Sequence, residues 1–216
     1  MYKFALFDLY GTLTDPGIGI TNSVMHALKR MNIPVGERNE YYKFIGPPLL
    51  DSFREYYGLS DEGAKLGVTY YREYFAEKGI FENDVYPGIV DTLDYLVKHN
   101  ITLCVATSKP EPYAKQILEH FNLSKYFSFI GGSTMDETRT DKAEVIHYVL
   151  KQAGINNLKD VIMIGDREHD MIGAAKNHLD SVGVLYGYGD REELENAGAK
   201  YVVENPGDIV SIVCGG

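Results

Sequence analysis

Phe7-Asp8-Leu9-Tyr10-Gly11-Thr12-Leu13-Thr14-Asp15 decides how this chain is read. The residues before it, Phe4 to Phe7, form an apolar run that reads as a buried strand, and Asp8 sits where that strand ends. Gly11 then lets the chain turn. In an open α/β sheet, an acid at the carboxyl end of a strand faces the crevice where ligands bind. Tyr10 follows two residues after that acid.

Working outward, five further segments resemble the first strand: 102–107, 127–130, 161–164, 181–185 and 201–203. Each is short, β-branched or aromatic, and bounded by Gly, Ser, Asn or Asp. Helical spacing of apolar residues separates most of them, over 89–99, 112–121, 142–153 and, more briefly, 191–197. Strands alternating with helices predict a parallel, doubly wound sheet. The stretch between the first two strands is too long for one crossover and reads as helical, with candidates over 19–31, 48–57 and 60 to about 78, the last capped by Ser60. The expectation is an α/β protein: a doubly wound, Rossmann-like parallel-sheet core (1–15 and 84–216) carrying an inserted all-α cap (16–83). The tyrosines of that insert read as packing between insert and core.

Composition limits the function classes. The 216 residues carry a net charge of −10, which argues against nucleic acid or anionic membranes as partners. No run approaches the roughly 20 apolar residues of a membrane helix. Met1-Tyr2-Lys3-Phe4 enters a strand-like segment at once, so no signal peptide is expected and the cytoplasm is the expected location. Cys104 and Cys214 lie far apart and suggest neither a disulfide framework nor a zinc site. An acidic chain can still bind an anionic substrate, because a divalent cation reverses the local field.

Four separated pieces fall at or near strand ends: Asp8 with Thr12, Thr107-Ser108, Lys142 at the start of a helix, and Gly165-Asp166-Arg167-Glu168-His169-Asp170. In a doubly wound sheet these converge on one crevice. Clustered carboxylates raise one another's pKa, and a hard cation such as Mg²⁺ relieves that penalty. Lys142 and the hydroxyls could hold phosphate oxygens, with an Asp8 oxygen as nucleophile toward phosphorus. Duller roles exist for the same residues. Asp166 and Asp170 could cap a helix over 171–176, and Asp141 could cap the helix carrying Lys142. Arg167 and His169 read as exposed, and Lys109 as solvated.

These four motifs, in this order, resemble the haloacid dehalogenase-like hydrolase superfamily, and within it the phosphoglycolate phosphatase and 5′-nucleotidase-like branch with a helical cap. The resemblance covers essentially the whole chain. It implies that Asp8 becomes an aspartyl-phosphate and binds Mg²⁺ together with Asp166, Asp170 and the Tyr10 backbone carbonyl. It implies a phosphate cradle from Thr107, Ser108, Lys142 and the backbone around Gly11, with Lys142 also restraining Asp8. Lys43 and Gly46 of the cap would approach the substrate.

Tyr10 departs from the pattern. Phosphatases of the family carry there an aspartate that protonates the leaving oxygen and then activates water. A phenol, with a reference pKa of about 10, is a poor base at neutral pH. Asp8-Leu9-Tyr10-Gly11-Thr12 also matches the 2-haloacid dehalogenases, which displace halide without metal, but the acids at 166 and 168 fit that chemistry badly, and Arg38 and Arg54 are only candidates for its substrate-binding arginine. A third reading is a catalytically impaired protein that binds phospho-ligands. The leading expectation is a Mg²⁺-dependent phosphomonoester hydrolase, weakened by Tyr10. It would be a monomer or homodimer acting on a small phosphorylated metabolite such as phosphoglycolate, a nucleotide or a sugar phosphate.

Overall fold

The computed structural model describes residues 1–136 and 138–215. The chain divides into two compact units, Met1–Thr14 with Val85–Gly216, and Asp15–Asp84. Strand β1 (Phe4–Phe7) opens the first unit and is followed by the two-residue strand β2 (Thr14–Asp15).

The second unit is helical. Helix α1 (Gly17–Arg30) is followed by a 3₁₀ segment, Arg38–Phe44, then α2 (Leu49–Tyr57) and α3 (Asp61–Tyr74). Gly58, at φ +61°, ends α2 in the left-handed region that a Cβ disfavours. Ser60 Oγ accepts from Gly63 N–H at 3.2 Å and starts α3, which continues as a π-helical turn, Phe75–Gly79. The 3₁₀ segment is not legible in the sequence, because Arg-Asn-Glu-Tyr-Tyr-Lys-Phe shows no helical period. Two of the insert's tyrosines make ring contacts within this unit. Tyr71 stacks on Phe75 at 5.4 Å, and Tyr56 meets Phe44 edge-on at 5.2 Å.

Strand β3 (Asp84–Val85) pairs with β2, and the alternation then runs α4 (Ile89–Lys98), β4 (Thr102–Pro110), α5 (Glu111–His120), β5 (Phe127–Ser133), α6 (Lys142–Gln152), β6 (Val161–Gly165), α7 (Glu168–Lys176), β7 (Asp180–Val184), α8 (Arg191–Asn196), β8 (Tyr201–Val203) and α9 (Asp208–Cys214). The main sheet has the order β5-β4-β1-β6-β7-β8, and its pairings are parallel. The chain builds outward on one side of β1 and then on the other, which makes β1 the neighbour of the topological switch point. Leu6, Cys104 and Met163 are buried against Val145, Ile146 and Val149 of α6.

The sheet register positions the site. Phe7, the last residue of β1, lies opposite both Val105 of β4 and Ile164 of β6, so the residues that follow these three start side by side. Strands β4 and β5 run longer than their apolar cores suggest, because their pairing resumes at Pro110 and Ser133 after an irregularity. Helix α9 went unread in the sequence, being a single short stretch anchored by Ile209 and Val213. Among the described residues no helix is long and apolar enough to cross a membrane.

Candidate active site

Asp8 is the first residue beyond β1, and its N–H still donates to the Ile164 carbonyl at 2.9 Å. The parallel register brings Ala106 and Gly165 to the same height. Lys142 starts α6, whose N-cap is Asp141, with Oδ1 accepting from Ala143 N–H at 2.7 Å. From there the Lys142 side chain is buried and reaches Asp8 Oδ1 at 2.6 Å, Asp170 Oδ1 at 2.7 Å and the Ala106 carbonyl at 2.8 Å. An ammonium has three protons, so these three acceptors use them all. Lys142 engages one oxygen of Asp8 and leaves Oδ2 outside the ion pair.

Asp170 holds two roles at once. At the third position of α7 its Oδ2 accepts from Arg167 N–H at 3.1 Å, closing the helix start, while Oδ1 takes Lys142. Capping therefore begins α7 at Glu168, earlier than its apolar residues alone indicate. Asp166 is also buried. Its Oδ2 accepts from Tyr188 N–H at 3.0 Å, its carbonyl from Gly189 N–H at 3.1 Å, and Thr12 Oγ1 lies 3.4 Å from Oδ1, long for a hydroxyl donor. The space is closed by glycines. A Cβ on Gly11, which has φ +80°, would overlap the Asp166 carboxylate, and one on Gly165 would overlap Asp170.

Asp8, Asp166 and Asp170 each offer an oxygen, and these oxygens all lie within 4.8 Å of one another. Burial, then the charges of Asp170 and Asp8, push Asp166 well above the usual carboxylate range. Burial also raises Asp170 against the opposing pull of Lys142. Burial alone would lower the Lys142 ammonium, but Asp170 and Asp8 reverse that and raise it. Three ionised carboxylates beside one ammonium leave an excess of two negative charges. An all-oxygen donor set with that excess fits a hard divalent cation such as Mg²⁺.

The other expected residues are placed as follows. Thr107 is buried, and its hydroxyl accepts from Lys109 N–H at 3.3 Å. Ser108 is exposed on the same strand end. Tyr10 is half-buried, with the Lys109 ammonium 4.2 Å from its ring centroid. Lys109 is thus not simply solvated, and burial lowers it to about 7 against the raising influence of Asp8. Arg167 is likewise engaged rather than exposed, its Nε meeting Glu193 at 2.7 Å. Lys43 and Gly46 belong to the helical unit, where the Lys43 ammonium lies 4.4 Å from the Tyr56 ring centroid and Gly46 has φ +106°. In that unit Arg54 pairs with Asp51 and Asp61, and Arg38 donates to Thr21 Oγ1 at 2.7 Å, so both arginines already have partners. Sequence reasoning missed Tyr186, Gly187 and Tyr188, because Tyr-Gly-Tyr-Gly reads only as a loop.

The acid cluster has a measurable cost. A carboxyl whose folded pKa is raised contributes stability that is full below its unfolded value, about 3.9, and is lost as pH rises through the folded value. In a chelator, the melting temperature should therefore fall as pH rises above the unfolded carboxylate value of about 3.9. Asp166→Asn should flatten that fall and melt higher than the unsubstituted protein at neutral pH. It should also lose any stabilisation by added Mg²⁺. Parallel melting curves that keep the same slope would show that Asp166 carries no such penalty.

The family described as haloacid dehalogenase-like hydrolase matches residues 5–184. The chain belongs to that family. Among relatives of this haloacid dehalogenase-like hydrolase, a 5′-nucleotidase of Pseudomonas aeruginosa is 45% identical over 193 residues, covering 89% of this chain and 87% of the other. The tyrosine-protein kinase PtkA of Mycobacterium tuberculosis is 36% identical over 201 residues, covering 93% of this chain and 68% of that protein. The crystal structure of a predicted phosphatase from Clostridium acetobutylicum matches with a TM-score of 0.93 at 48% identity, covering 100% of this chain and 99% of that one.

Proposed function

We propose that this chain is a phosphomonoester hydrolase that works through an aspartyl-phosphate on Asp8 and is slowed by Tyr10. The observation that carries the reading is the buried Asp8–Lys142–Asp170 triangle, with an Asp166 oxygen inside the same 4.8 Å cluster. The family, and relatives named for nucleotidase and phosphatase activity, support it. Asp8, Asp166, Asp170 and the Tyr10 carbonyl would hold Mg²⁺, which when bound neutralises charge on the phosphoryl group.

The chain's own residues divide the work. Lys142 fixes Asp8 by one oxygen, so the other can attack phosphorus while the bond from phosphorus to the leaving oxygen breaks; that leaving oxygen departs with the bonding electron pair and takes a proton from water. The Lys142 charge stays beside the reacting group throughout. Thr107, Ser108 and the backbone around Gly11 would receive the phosphate oxygens. Hydrolysis of the acyl phosphate then needs a base to take a proton from water, and the Tyr10 phenol is poorly suited to that step near neutral pH. The substrate class is a small phosphate monoester such as phosphoglycolate, a nucleotide or a sugar phosphate.

The deciding assay is release of phosphate from an aryl phosphate, with Mg²⁺ and with chelator, beside halide release from 2-chloropropionate without metal. The expected result is Mg²⁺-dependent phosphate release and no halide. Metal-free halide release would replace this reading with carbon–halogen chemistry, which the engaged Arg38 and Arg54 do not favour.

A further inference from the structure

We infer that Tyr186 is a positioning residue for the cation-binding acids, acting through the turn that follows Asp8; the inference rests on the reading just given. The Tyr186 hydroxyl donates to the Thr12 carbonyl at 3.0 Å. Its ring meets Tyr86 edge-on, with centroids 5.0 Å apart, so packing aims the hydroxyl. Thr12 is fully buried, and its carbonyl sits one residue beyond Gly11, whose left-handed φ of +80° makes the turn.

The next two residues extend the grip to the acid. Gly187 lies so close to the Gly11 carbonyl and to Asp166 Cβ that a Cβ of its own would overlap both. Tyr188 then donates its N–H to Asp166 Oδ2 at 3.0 Å. Three consecutive residues thus touch the turn, the turn and the acid together, and the acid. Neither Asp166 nor the turn can shift without the other. The turn also carries the Tyr10 carbonyl, so the spacing between that carbonyl and Asp166 is set from this loop. Groups that orient ligands from behind typically change metal affinity about 10–100-fold when removed.

Calorimetric titration of Mg²⁺ into the metal-free protein tests this. Tyr186→Phe keeps the ring against Tyr86 and removes only the hydroxyl, so the metal-free protein should fold and melt within a few degrees of the parent. Its Mg²⁺ dissociation constant should rise about 10–100-fold. Tyr86→Leu serves as a packing control, lowering the melting temperature while disturbing affinity less. If Tyr186→Phe binds Mg²⁺ within threefold of the parent, Tyr186 does not position the acids and this inference is overturned alone. If the parent binds no Mg²⁺, the proposed function falls, and the inference with it.

Discussion

Asp8→Asn lowers phosphate release by on the order of 10⁴-fold or more, the scale at which a unit acting around one nucleophile fails. The amide keeps the shape of the carboxylate and retains an acceptor for Lys142, which also holds Asp170 at 2.7 Å and the Ala106 carbonyl at 2.8 Å. The fold should therefore survive, and the loss should appear in chemistry rather than in melting temperature. The measurement is best made both in the parent chain and in the Tyr10→Asp background, where a higher starting rate leaves more room to see the drop. Turnover within tenfold of the parent in both backgrounds would remove Asp8 from the reaction.

Tyr10→Asp works in the opposite direction. A positioned general acid–base group typically contributes 10²–10⁴-fold, and an aspartate with a reference pKa of about 3.9 is an available base at neutral pH where a phenol is not. The gain should be at least tenfold in steady-state turnover. The Lys109 ammonium, now 4.2 Å from the Tyr10 ring centroid, would stand close to the new carboxylate and favour its ionised form. Tyr10→Asn gives the control, since it shrinks the side chain without supplying a base. Rapid mixing adds a second readout. The parent chain should release a burst of aryl alcohol of about one equivalent before a slow phase, and Tyr10→Asp should abolish the burst. Equal steady-state rates for the parent chain and Tyr10→Asp would mean that position 10 has no acid–base part.

Much of this was legible in the sequence because the strands are apolar along their whole length and end abruptly in polar residues. Ala5 to Phe7 before Asp8, and Val161 to Ile164 before Gly165-Asp166, are buried on both faces, as a parallel sheet requires. The helices between them follow apolar spacing, so the doubly wound core could be read directly. Lys142 was visible as a cation at a helix start, and its burial between two acids follows from where α6 begins. Other features depend on tertiary context. Asp170 reads equally as cap or ligand in one dimension, and only the fold shows that its two oxygens face different partners. Lys109 looks like any surface lysine until β4 carries it past the end of its apolar run and over Tyr10. The Tyr186–Tyr188 loop left no signal beyond glycine and tyrosine, since its contacts are one phenol hydroxyl, one backbone N–H and the close approach that a missing side chain allows.

The saturated ammonium of Lys142 has one further consequence. A flexible amine normally surrenders its freedom when a guest arrives, but here it is immobilised during folding, before any encounter. A newcomer meets one fixed positive charge set among acids, with no vacant proton, so Lys142 bonds it only if an existing partner is exchanged. In the proposed reaction Lys142 would thus act on a guest through its charge rather than through a new bond.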